Sequence, residues 1–131
     1  MSNAIVVGYI PSGEGNAALE RAIKESIAHK AKLVVVNVTH DDGSTIDDRY
    51  MPEQARAQIQ SRLEGTGAKF EFIHSTALNV ADALIEVAEE YEAETIVLGL
   101  RKRSQVGKLI LGSIAQRVLM NAESSVLAVR I

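Results

Sequence analysis

A chain of 131 residues, 47% apolar and built mainly from Leu, Ile, Val and Ala, can bury one core and is expected to form a single domain over residues 1–131. The absence of Cys excludes disulfides, thiolate metal sites and cysteine nucleophiles; no apolar run reaches the ~18–20 residues that cross a bilayer, and no charged leader precedes a signal core, so a soluble cytoplasmic protein away from membranes is expected. The net charge of −3 hides an asymmetry, because Arg101, Lys102, Arg103 and Lys108 stand together without an acid and leave −7 for the rest; an acidic body with 4% aromatic residues excludes a general nucleic-acid binder.

The first element, Ile5 to Ile10, is a β-branched run without polar alternation, the pattern of a strand covered on both faces. Pro11-Ser12-Gly13 ends it. Leu19, Ala22, Ile23, Ser26 and Ile27 then recur at helical spacing through His29. Leu33 to Val38 is a second buried strand, followed by a polar, acidic loop from Thr39 to Pro52 whose bulky apolar members are Tyr50 and Met51. Ala55, Ile59 and Leu63 mark a helix that Gly65 and Gly67 stop. Phe70 to Ile73 alternates by halves and reads as an edge strand. Asn79 caps an amphipathic helix with Val80, Leu84, Val87, Ala88 and Tyr91 on one stripe. Thr95 to Leu98 is the fourth strand, Ile114 to Asn121 the last helix, and Ser125 to Ile131 the fifth strand.

Strand and helix alternate throughout, and the connections are too long for hairpins. The expected architecture is therefore α/β: an open parallel sheet wound by right-handed crossovers, with helices on both faces. Ligands of such sheets bind beyond the carboxyl ends of the strands, where the winding direction reverses. That singles out the loop after the first strand (Ile10, Pro11, Ser12) and the segment from Gly99 to Ser113.

The second segment is the more informative. It leaves an apolar strand, carries Arg101, Lys102, Arg103 and Lys108, is punctuated by Gly99, Gly107 and Gly112, and enters a helix through Ser113. Amides, cations and a helix N-terminus brought together favour an anion, phosphate first. Ordinary explanations compete: Gly99 can serve a turn, the cations can be solvated, and Ser113 with Gln116 reads as a capping box. The segment is not a Walker loop, since Leu109 follows Gly107-Lys108 and Lys102 stands where that motif has its first glycine. Gly13-Glu14-Gly15 lacks the third glycine of a dinucleotide fingerprint.

Ile96-Val97-Leu98-Gly99 and Leu109-Ile110-Leu111-Gly112-Ser113, in this order of elements, resemble the universal stress protein family, whose nucleotide-binding members carry Gly-x2-Gly-x9-Gly-Ser/Thr after the fourth strand. The resemblance covers Ile5 to Ile131. It implies a five-stranded sheet of order 3-2-1-4-5, an adenine-nucleotide alpha-hydrolase-like fold, and a homodimer formed through the terminal strand Ser125–Ile131. It also implies phosphate and ribose contacts at Gly99, Gly112 and Ser113, neighbouring positions at Leu98 and Ile114, and an adenine wall at Val38. Two positions depart from the pattern: Lys102 replaces the motif's second glycine, and Ile10 followed by Pro11 replaces the acidic residue that ends the first strand. The implied ligand is ATP, with AMP-type or other phosphorylated compounds as alternatives.

His29, His40 and His74 have no evident nucleophile or base beside them, and no metal site or catalytic set can be nominated. The expected function is a stress-signalling module that binds a nucleotide and is non-catalytic or only weakly hydrolytic. The alternative is an interaction protein of the same fold whose basic loop docks anions or an acidic partner.

Overall fold

The computed structural model describes residues 3–40, 49–101 and 111–131. In chain order the elements are β1 (Ala4–Gly8), α1 (Gly13–His29), β2 (Lys32–His40), α2 (Glu53–Glu64), β3 (Phe70–Ala77), α3 (Val80–Glu90), β4 (Thr95–Leu100), α4 (Ser113–Asn121) and β5 (Ser125–Arg130). All strand pairs are parallel, and the sheet order is β3-β2-β1-β4-β5. The chain winds outward from β1 in one direction through β2 and β3, then in the other through β4 and β5. The reversal therefore lies between β1 and β4, where Val6 pairs with Ile96.

The uninterrupted apolar runs are explained by two cores, one on each face. Ile5, Val7, Leu33, Val35 and Val97 point to the face covered by α1 and α2. Val6, Val34, Val36, Ile96 and Leu98 point to the face covered by α3 and α4. Successive residues of a strand alternate between faces, so a strand with helices on both sides must be apolar at every position. Each fully buried Val, Leu or Ile contributes on the order of 1.5–3 kcal/mol.

The helix ends follow local chemistry. Asn79 caps α3 by accepting a hydrogen bond from the Asp82 amide at 3.0 Å, as its position predicts. α2 closes at Gly65, and Gly67 takes the left-handed conformation at φ 75°. β3 is an edge strand as expected, but it runs on to Ala77, so His74 lies inside it rather than at its end.

Ile27 lies in α1 as its spacing predicts and is 51% exposed near the helix's end. Three local readings are corrected. β1 stops at Gly8: the Tyr9 amide still donates to Val36 at 2.9 Å, but the Tyr9 carbonyl accepts from the Asn37 side chain at 2.9 Å, and β2 continues without it. β4 reaches Leu100, placing Gly99 inside the strand, in register with Val129 of β5. Ser113 does not form a capping box. It is the first residue of α4, Gly112 is the cap, and the Gln116 side chain donates instead to the Leu111 carbonyl at 3.0 Å.

Candidate functional site

At the carboxyl ends of β1 and β4 the structure has a cavity of about 170 Å³. Its apolar floor is made by Val36 and Val38 of β2, Leu98 of β4, and Val80 and Leu84 of α3. β1 ends before β2 does, so a trough opens where β1 would have continued. Adjacent peptides of a strand point to opposite edges. Val36 faces β1 through its bond from Tyr9, so Val38 turns its backbone to the same side. The Val38 carbonyl there accepts from Arg49 Nε at 3.3 Å.

The wall on the α1 side is held by backbone packing. Ser12 caps α1: its Oγ accepts from the Gly15 amide at 3.0 Å and donates to the Ile10 carbonyl at 3.5 Å. A Cβ on Gly15 would overlap the Ile10 carbonyl oxygen, and a Cβ on Gly99 would overlap the Glu14 carbonyl oxygen. These two glycines let the first turn of α1 lie directly against the ends of β1 and β4. The contact sets Glu14 among the residues that line the cavity; its side chain is 15% exposed, and its carboxylate lies 3.4 Å from Arg101 Nε.

The opposite wall is the start of α4. Ser113, Ile114 and Ala115 line the cavity, and the Gly112 cap offers them no side-chain acceptor. The first amides of a helix have no intrahelical partner and carry the positive end of its dipole. A Cβ on Gly112 would meet no atom within 4 Å. This wall can take an anion on backbone donors alone.

The third wall is the return of the loop after β2, and a buried amide fixes it. The Asn37 side chain, fully buried, donates from Nδ2 to the Tyr9 carbonyl at 2.9 Å and to the Arg49 carbonyl at 2.7 Å, and its Oδ1 accepts from the Met51 amide at 2.9 Å. It ties β1, β2 and the residues before α2 into one unit and sets Arg49 at the rim. Tyr9 donates its hydroxyl to Asn16 Oδ1 at 3.0 Å, and burial raises its pKa.

Of the residues expected at a site, Ile10, Val38, Leu98, Gly99, Arg101, Gly112, Ser113 and Ile114 line this cavity. Pro11 and Ser12 do not; Pro11 is an exposed turn residue, and Ser12 is occupied in capping α1. Lys102, Arg103, Gly107 and Lys108 lie outside the described residues. Sequence reasoning missed Glu14 and Arg49, which both line the cavity. A signal for Glu14 was available in its two flanking glycines, one of which is demanded by close packing. None existed for Arg49, whose place depends on Asn37 twelve residues earlier.

The histidines stand apart from the cavity. His29 meets Glu25 at 3.2 Å on the exposed side of α1, and His74 lies 3.4 Å from Thr39 Oγ1 with its ring edge-on to Tyr50. Among the described residues, no group of three or more His, Cys, Asp or Glu could hold a metal ion, and no helix is long and apolar enough to cross a membrane.

Known proteins share this architecture. The model of the universal stress protein family matches residues 1–130. A universal stress protein of Mycolicibacterium smegmatis is 35% identical over 126 residues, covering 96% of each chain. The solved structure of a universal stress protein from Archaeoglobus fulgidus superposes with a TM-score of 0.79 at 27% identity, covering 98% of both chains. A universal stress protein structure from Archaeoglobus fulgidus in complex with dAMP has a TM-score of 0.67 at 20% identity, again covering 98% of both.

Proposed function

The chain belongs to the universal stress protein family, and from that premise we propose that it is a stress-signalling module that binds an adenine nucleotide, ATP first, without classical catalysis. The observation that carries this reading is the start of α4. Its amides open, without a side-chain cap, into a cavity at the point where the sheet reverses its winding. In this reading the base lies on Val36, Val38 and Leu98, and the phosphates meet Gly112, Ser113 and Ile114. Arg101, Lys102, Arg103 and Lys108 supply counter-charge. The dAMP held by the Archaeoglobus fulgidus relative supports the ligand class. The module is proposed to be one cytoplasmic domain that dimerises through the strand Ser125–Ile131, because β5 leaves one edge of the sheet unpaired in the single chain.

The test is mass spectrometry of whatever the gently denatured protein releases, joined to thermal denaturation with and without ATP. A ligand specific for the folded state raises the melting temperature according to its concentration over Kd. Lys102→Glu with Arg103→Glu should abolish the rise. Equal, weak stabilisation by sulfate, phosphate and ATP would instead identify an interaction protein whose basic loop docks anions or an acidic partner. Ile10, which places an apolar side chain two residues beyond β1 in the cavity lining, is the feature that favours this second reading.

A further inference from the structure

The cavity is lined with hydrogen-bond donors and positive charge on one side, yet an acidic residue, Glu14, stands among its lining with its carboxylate beside Arg101. Glu14 is the acidic side chain that lines it among the described residues, and its exposure is low for a glutamate. Two glycines bring its backbone close to the strand ends, Gly15 against Ile10 and Gly99 beneath Glu14 itself, so the start of α1 sets Glu14 at the cavity wall. Among the described residues its polar partner is Arg101, met at a single atom pair 3.4 Å apart. An ionised carboxylate offers about four acceptor sites. Most of that capacity is left for a guest.

A phosphate is negative and only accepts hydrogen bonds, so it is repelled from Glu14 and directed to the amides of α4. What Glu14 can take is a donor. The apolar floor of Val36, Val38 and Leu98 suits the face of a base, and the donors that lie between a base and its phosphates are the sugar hydroxyls.

We infer that Glu14 is the residue that reads the ribose, its carboxylate accepting a sugar hydroxyl of the bound nucleotide and so fixing the phosphate end against α4. This rests on the nucleotide reading above and adds a residue-level basis for selectivity. Arg101 pairs with the carboxylate at 3.4 Å and is exposed enough to keep donors for the phosphates. The Ile10 side chain offers no polar group, so side-chain recognition of a hydroxyl falls to Glu14.

The experiment measures the affinities of ATP, 2′,3′-dideoxy-ATP and inorganic tripolyphosphate by calorimetric titration. It compares the wild type with Glu14→Gln and Glu14→Asp, each first shown to be folded by circular dichroism. A partly buried carboxylate that loses its hydroxyl partner should make the wild type prefer ATP over the dideoxy analogue by about tenfold. Glu14→Gln should cut that preference to about twofold or less and leave tripolyphosphate binding equal or tighter, since a repelling charge is gone. Glu14→Asp keeps the charge but shortens the reach, so it should lose the preference without gaining tripolyphosphate affinity; it also serves alone if the glutamine variant does not fold. Nucleotide binding without discrimination in the wild type, or discrimination that survives in both variants, overturns the role of Glu14 and leaves the nucleotide reading intact. Failure of the wild type to bind either nucleotide removes both.

Discussion

Gly99 lies so close beneath Glu14 that a single methyl group on it would overlap the glutamate's carbonyl oxygen. The first glycine of the motif is therefore accounted for by helix-on-strand packing, whatever it also does for a ligand. Gly99→Ala must push α1 from the sheet and is expected to lower stability by about 3 kcal/mol, read from chemical denaturation. Gly112→Ala is the contrast. Its Cβ enters open space at a φ of −71° that any residue adopts, so stability should hold within about 0.5 kcal/mol while ATP affinity falls. Comparable destabilisation by the two substitutions would show that the gap at Gly112 is not real.

Removing the Asn37 carboxamide should loosen one whole wall of the cavity. Asn37→Ala leaves the Met51 amide and the Arg49 and Tyr9 carbonyls short of their partner, and is expected to cost about 2–3 kcal/mol. Trypsin should then cut after Arg49 faster than in the wild type. Unchanged cleavage with lowered global stability would mean that the amide supports the core and not the loop's return.

The carboxylates predict acid sensitivity. Hydrogen bonds from Arg62, Lys32 and Arg117 hold Glu20, Glu71 and Asp82, respectively, below their ordinary pKa values. A lowered folded-state pKa adds stability above the unfolded value, and that stability disappears as pH falls through the folded one. The denaturation midpoint should therefore decline as pH drops below about 4. Asp82→Asn should make the decline shallower, because Asp82 pairs with Arg117 across α3 and α4 at 2.8 and 3.1 Å.

The alkaline limb runs the other way. Tyr91 donates its hydroxyl to Glu71, and this hydrogen bond, followed by burial, lifts its pKa from 10.0 to about 12. A raised folded-state value gives stability that is complete below pH 10 and is lost as pH climbs toward about 12. Ultraviolet titration should find Tyr91 ionising late, and Glu71→Gln should bring it back toward its ordinary range. No movement in that variant would leave the shift unexplained by the hydrogen bond.

Association through β5 is checked by analytical ultracentrifugation. Ala128 is exposed on that strand, and Ala128→Asp should shift a dimer toward monomer without lowering the melting temperature of the monomer itself.

What the sequence reveals follows from how local each cause is. The buried strands are legible because a position covered on both sides must be apolar, and Val34, Val35 and Val36 can belong to little else. The cap at Asn79 is legible because its partner, Asp82, is three residues away. Ser113 looked equally like a cap, but the chain enters α4 one residue earlier, which a side-chain pattern does not encode. Pro11 and Ser12 were placed near the ligand by position alone, whereas Ser12 answers to the amide of Gly15. Glu14 and Arg49 reach the cavity through contacts between distant parts of the chain, Gly99 with Glu14 and Asn37 with Arg49. Hydropathy patterning has no means of reporting such contacts.

The meeting of Gly15 with the Ile10 carbonyl carries a broader consequence. That junction is main chain against main chain, so its shape is indifferent to which side chain occupies position 10. Replacing Ile10 exchanges the chemistry displayed at the mouth without remoulding the mouth. In a scaffold arranged in this way single substitutions alter the side chains on show, while the glycines that set its contours stay put.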